Sequence, residues 1–253
     1  MAVMISPVTR ALLLLHGFTH TGASWEPVVA ALGERYRALT PDIRGHGVAS
    51  DAEPVTLDAV LDDLVRVAPP RYVLGGYSMG GRVALHLALS RPGTVERLVL
   101  IGASPGIADE REREQRRRQD ERLAAEIERM AIEEFAQRWA QTPVLAGLSA
   151  EPAARAHADR RRSTPSGLAR ALRGLGTGAL PSLWDRLGKL TVPVTLVVGE
   201  RDQKFRQIAQ LMAPAIAKSE VMVVPGAGHA VHLEAFDKVA EIISSQWASS
   251  PAG

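Results

Sequence analysis

The stretch YVLGGYSMGGRVALHLAL, residues 72–89, limits more than any other what this chain can fold into. Its first half is a short apolar run of strand length. Its second half is apolar at helical spacing, and a serine between glycines joins the two. A serine at such a junction sits on a tight elbow, with Gly76 and Gly80 standing where side chains would collide. The Ser78 hydroxyl is then exposed, and the backbone N–H of Met79 opens onto the same space as the start of the helix.

The rest of the chain repeats this alternation. Strands are expected over 11–15, 36–40, 72–76, 97–101, 194–198 and 221–224, and helices over 56–67, 79–90, 205–217 and 236–247. Apolar strands alternating with helices specify an α/β class, with a mostly parallel central sheet flanked by helices on both faces. The rhythm breaks between about 105 and 190, where DEREREQRRRQDERLAAEIERM opens a long charged helix. This reads as an inserted helical cap over 105–190, carried by a core made of 1–104 and 191–253. Ligands of open α/β sheets bind at the carboxyl ends of the strands, so a cap there covers the site.

Composition narrows the chemistry. The 253 residues suffice for one large core and contain no cysteine, which excludes disulfides and thiolate catalysis. No metal-ligand spacing appears, since His229 and His232 lie i, i+3 in a loop, and no cofactor is implied. The N-terminal apolar run is too short for a signal peptide or a membrane span, so a cytoplasmic protein without membrane partners is expected. The arginine run at 111–118 is interleaved with acids and lacks an aromatic platform, so no nucleic-acid partner is expected either. Nothing in the sequence bears on oligomeric state. Net charge is only +2, yet 26 of the 30 basic residues are arginine, the planar fork suited to carboxylates.

A serine hydroxyl is a poor base or nucleophile until a histidine can take its proton. His229, in VPGAGHAVHLE, follows an expected strand and a glycine pair. The chain order serine, acid, histidine requires an acid between them, and TLVVGERDQKF supplies Asp202, with Glu200 as the rival nearer the strand end. His232 reads as a packing residue. An oxyanion site needs a second donor beside Met79 N–H, and the Phe18 N–H at the end of LLLLHGF is the candidate. His16, Asp42 and His46 read as loop scaffolding.

Taken together, HGF, PDIRGHGVAS, GYSMGG, GERD and GAGH resemble the α/β-hydrolase superfamily in order and spacing over essentially the whole chain. Narrower segments (GYSMGGRVAL, SPGI before the arginine-rich helix, FAQRWAQTPV, LRGLGTGALPSLW, GERDQKF and AGHAVHLE) resemble its 2-succinyl-6-hydroxy-2,4-cyclohexadiene-1-carboxylate synthase branch of menaquinone biosynthesis. That resemblance implies a lyase performing a 2,5-elimination of pyruvate from a small polycarboxylate. Its substrate carries three carboxylates and a ketone, which calls for several fixed cations. Arg82, one helical turn after Ser78, answers that need. Arg116 and Arg160 match the branch's carboxylate-binding arginines, with Arg113 or Arg117 and Arg161 or Arg162 as alternatives. Trp139 and Tyr77 match its pocket residues, and cap packing is the other role open to Trp139.

Two other functions fit the same residues. A carboxylesterase or C–C bond hydrolase would use Ser78 as nucleophile, and a noncatalytic binding protein would not need the serine, acid and histidine at all.

Overall fold

The computed structural model describes residues 9–143, 145 and 147–245. Six parallel strands form one sheet: β1 (Arg10–Leu15), β2 (Tyr36–Leu39), β3 (Tyr72–Tyr77), β4 (Val95–Ile101), β5 (Val194–Gly199) and β6 (Ser219–Val224), in the order β2-β1-β3-β4-β5-β6. A parallel sheet is covered on both faces, which is why its central strands read as unbroken apolar runs. All six residues of β3 are buried, whereas the edge strands β2 and β6 are only partly so.

The strand period sorts the β1 leucines between two cores. Leu13 and Leu15 pack with α2 (Leu57–Val67), α3 (Met79–Ser90) and α8 (Gln203–Met212) on one face. Leu12 and Leu14 pack with α1 (Glu26–Leu32), α9 (Val231–Glu234) and α10 (Phe236–Ser245) on the other. The helix α3 lies under the middle of the sheet and is buried almost all round, which explains why VALHLAL shows no polar face.

Two expected helices differ at their ends. The helix expected over 205–217 starts at Gln203, because Asp202 caps it, and stops at Met212, where Pro214 turns the chain into a 3-10 turn over Ala213–Ala215. The helix expected over 236–247 is described to Ser245, and Trp247 lies outside the described residues.

Between β4 and β5 run four helices: α4 (Glu110–Ile127), α5 (Ile132–Ala140), α6 (Ala150–Arg160) and α7 (Pro165–Leu175). Of these, α4, α5 and α7 share a small core of Ala124, Ile127, Phe135, Leu168, Ala169 and Leu172, against which Phe18 and Trp139 pack, while Ala156 of α6 packs with the core on the α1 side of the sheet. The Phe18 contact ties the insertion to the end of β1. Strand order reverses direction between β1 and β3, which makes their carboxyl ends the switch point where α/β sheets bind ligands. Among the described residues no helix is long and apolar enough to cross a membrane.

Candidate active site

Ser78 stands at that switch point, between β3 and α3, with φ +50° and ψ −108°. This backbone is strained for a residue with a Cβ, and its surroundings hold it in place. The Ser78 N–H donates to Ile101 O at 2.9 Å, and the Ser78 carbonyl accepts from the Arg82 N–H at 3.2 Å. The flanking glycines are a steric requirement. A Cβ on Gly76 would lie 2.6 Å from Gly80 O, and one on Gly80 2.3 Å from Leu15 O.

The loop after β6 brings His229 to the serine. Its Nδ1–H donates to Asp202 Oδ2 at 2.6 Å, which leaves Nε2 to accept the Ser78 hydroxyl at 3.3 Å. The imidazole packs at a tilt against Phe205 (4.5 Å between centroids) and against Tyr77 (5.2 Å). Gly102 closes in from the end of β4: a Cβ there would sit 2.8 Å from His229 Cε1. His229 and Asp202 are both buried, so their pairing is little screened by water. Asp202 is doubly fixed, because its Oδ1 also accepts the Phe205 N–H at 3.3 Å as the cap of α8. Glu200, the alternative acid, instead accepts the Gly226 N–H at 2.8 Å and braces the histidine loop from outside. His232 is fully buried against Tyr77 and Trp25, and among the described residues neither of its ring nitrogens has a hydrogen-bond partner.

The candidate oxyanion donors flank the elbow. Leu15 pairs with Gly76 across β1 and β3, and a Cβ on Gly17 would strike the Tyr77 ring at 2.6 Å. Phe18 therefore follows directly where the β1 loop crosses the serine. Among the described residues, neither Phe18 N–H nor Met79 N–H donates to a backbone acceptor. His16, Asp42 and His46 hold the loops around them. His16 Nε2 accepts the Ile43 N–H at 2.9 Å, and Asp42 accepts from Gly22 and Val48 N–H at 2.7 and 2.8 Å. His46 Nδ1 donates to Ile43 O at 3.2 Å.

The three candidate substrate-binding arginines sit in different settings, Arg82 one helical turn after Ser78 on α3, Arg116 on α4 and Arg160 at the end of α6. Arg82 is partly buried, with its Nε sealed from solvent and without an acceptor among the described residues. Burial lowers its pKa to about 10, helped by the charge of Arg116 and opposed by Asp120, so it remains protonated at neutral pH. Arg116 donates through Nε to the buried Asp120 at 2.7 Å, and Asp120 also accepts the Gly178 N–H at 3.3 Å. Of its helix neighbours, Arg113 pairs with Glu110 (3.8 Å) and Arg117 with Glu114 (3.6 Å). Arg160 is 0% exposed, donates through Nε to Thr19 Oγ1 at 3.3 Å and keeps Nη2 without an acceptor among the described residues. Its neighbours point elsewhere: Arg161 pairs with Glu133 at 2.6 Å, and Arg162 is largely exposed.

Tyr77 is buried beside Arg160, and burial raises its phenol pKa well above the usual value although Arg160 opposes the shift. Trp139 lies edge-on to Phe18 (5.3 Å) and against Phe135 (5.6 Å), so it joins the insertion's core to the β1 loop.

Sequence reasoning did not single out Asp120, Asp159 or the Arg201–Glu234 pair. Asp120 had a readable signal, an acid four residues after Arg116 on one helix face. The others had none, because their partners come from distant segments. Glu234, paired with Arg201 at 2.6 Å, accepts the Gly228 N–H at 3.0 Å through each carboxylate oxygen, next to His229. Among the described residues no group of three or more His, Cys, Asp or Glu side chains could hold a metal ion.

The relay can move a proton from the serine hydroxyl to the imidazole and stabilise the resulting imidazolium, with the Phe18 and Met79 amides as the candidate oxyanion donors. The sequence profile of the alpha/beta hydrolase family matches residues 12–242. A Bacillus subtilis protein that carries the name 2-succinyl-6-hydroxy-2,4-cyclohexadiene-1-carboxylate synthase provisionally is 35% identical over 236 residues, 89% of this chain and 86% of that one. The enzyme of that name from Salmonella paratyphi C is 34% identical over 249 residues, 94% of this chain and 95% of that one. Among solved structures, MenH from S. aureus superposes with a TM-score of 0.90 at 32% identity, over 95% of this chain and 94% of that one.

Proposed function

The chain belongs to the alpha/beta hydrolase family, in its 2-succinyl-6-hydroxy-2,4-cyclohexadiene-1-carboxylate synthase branch, and on that premise we propose that it is a carbon–oxygen lyase. It eliminates pyruvate from 5-enolpyruvoyl-6-hydroxy-2-succinyl-cyclohex-3-ene-1-carboxylate and leaves the 2,4-diene. The observation that carries the site assignment is the Ser78–His229–Asp202 hydrogen-bond chain, with Arg82 one helical turn after the serine on α3.

Asp202 holds the His229 tautomer, so that Nε2 draws the proton from Ser78 and makes its oxygen basic. Ser78 Oγ takes the proton from ring carbon 2, which is acidic because the succinyl ketone is attached there. The electron pair moves into the ring as the carbon 2–carbon 3 bond becomes double and the double bond shifts to carbons 4 and 5. The C–O bond at carbon 5 breaks, and the released enolpyruvate takes up a proton to become pyruvate. During the first step, charge accumulates on the ketone oxygen, where the Phe18 and Met79 amides stabilise it. No acyl-enzyme forms. Arg82, Arg116 and Arg160 hold the carboxylates, and the cost of burying the unpaired donors of Arg82 and Arg160 is recovered when an anion arrives.

A coupled pyruvate assay run beside p-nitrophenyl ester hydrolysis tests this. Pyruvate release that far exceeds ester turnover is the expected result. Rapid ester cleavage without pyruvate would make Ser78 a nucleophile and overturn the lyase reading.

A further inference from the structure

The loop that carries Phe18 is a tight turn closed by the His20 N–H on Gly17 O at 3.1 Å. Thr19 occupies its third position with φ +72° and is fully buried. That backbone region usually takes glycine or asparagine, so a threonine there needs a reason. Its hydroxyl supplies one, as the acceptor for Arg160 Nε. The residues that follow are held by the neighbouring residue of α6. Asp159 Oδ2 accepts the Thr21 N–H at 2.9 Å and faces His20 Nδ1 at 3.0 Å, and Asp159 Oδ1 accepts the Thr21 hydroxyl.

Consecutive residues at the end of α6 thus grip three consecutive residues of a loop some 140 positions away. Asp159 acts from behind that loop. On its side lies a groove of about 660 Å³ lined by His20, Ser24, Arg155, Asp159 and Phe236, among others, and by none of the triad.

We propose that Asp159 is a positioning residue: by fixing Thr19–Thr21 it sets where the Phe18 N–H meets the developing oxyanion. The helix that presents Arg160 to a substrate carboxylate therefore also aligns the oxyanion donor. This rests on the assignment of Phe18 in the proposed elimination, and it assigns a role to a residue that does not touch the substrate.

The test compares wild type with Asp159→Asn and with Thr21→Val, which removes one donor to Asp159 at nearly constant shape. Each protein is followed by pyruvate release, by the rate at which a fluorophosphonate phosphonylates Ser78, and by thermal melting. Loss of an oxyanion donor costs about 10²–10³ in kcat, so misplacing one is expected to lower kcat by about tenfold or more in Asp159→Asn, with KM within about twofold. Phosphonylation, which builds charge on the same oxygen position, slows in parallel. Thr21→Val shows the same pattern more weakly and keeps the inference testable should Asp159→Asn fold poorly. Folded variants that melt lower but keep kcat and the phosphonylation rate would overturn the inference, reducing Asp159 to a structural tie. A wild type that is phosphonylated but releases no pyruvate would instead overturn the lyase reading, with slowed labelling of the variants still upholding the role of Asp159. A wild type inert to both would remove both.

Discussion

Replacing Arg82 by methionine should move stability and activity in opposite directions. In the free protein Arg82 Nε is sealed and has no acceptor among the described residues, a defect that costs about 1–3 kcal/mol. Asp120, the acid nearest to it in charge, keeps its bonds to Arg116 and Gly178 when Arg82 is gone, so no buried charge is orphaned. Methionine fills a similar volume among the small residues of α3. Substitutions of this kind gain about 1–3 kcal/mol, and at about 2–4 °C per kcal/mol for a chain of this size Tm should rise by about 2–12 °C. Binding goes the other way. Losing the charged partner of a desolvated carboxylate costs about 3 kcal/mol, or about two orders of magnitude in kcat/KM. Differential scanning fluorimetry and the coupled pyruvate assay read the two quantities on the same sample. A variant that melts several degrees lower and keeps kcat/KM would refute the reasoning, because Arg82 would then be a structural cation with a partner the geometry does not show.

Asp202→Asn should leave the fold intact and reduce kcat by about three to four orders of magnitude, because the amide favours the wrong His229 tautomer; steady-state pyruvate release checks it. Stability should fall in acid. His16 and His46 are fully buried and neutral, with pKa values lowered by burial to about 4 and about 3, against 6.5 for the free group. The unfolded chain therefore binds more protons between these values. The stabilisation is complete above pH 6.5 and is lost as pH drops toward the two folded values. Two protons set a slope of up to about 2.7 kcal/mol per pH unit. Urea midpoints that stay level from pH 7 to pH 4.5 would contradict this.

The elbow was legible because a strand, a glycine-flanked serine and a helix are all local patterns, and sterics leave few other uses for GGYSMGG. Asp202 was legible for a related reason: a residue that ends a strand and caps a helix is marked by its neighbours, and the same position brings its second oxygen to His229. The fate of the cap arginines was not. Arg116 and Arg117 are chemically alike, and only the packing of α4 against α7 decides which faces Arg82 and which pairs outward with Glu114. Asp159 was invisible because its donors, His20 and Thr21, lie some 140 positions away in the sequence, and a carboxylate at a helix end reads as an ordinary surface charge. The end of α8 was misplaced by five residues, since Pro214 stops hydrogen bonding that the apolar spacing alone would continue.

The central claim is that Ser78 removes a proton from ring carbon 2 while pyruvate leaves. Single-turnover pyruvate release from substrate carrying deuterium at that carbon measures this step directly. The account predicts that release slows several-fold relative to the protonated substrate, with the mass of the protein unchanged throughout the turnover. Equal rates for the two substrates, together with a covalent adduct on Ser78, would contradict it.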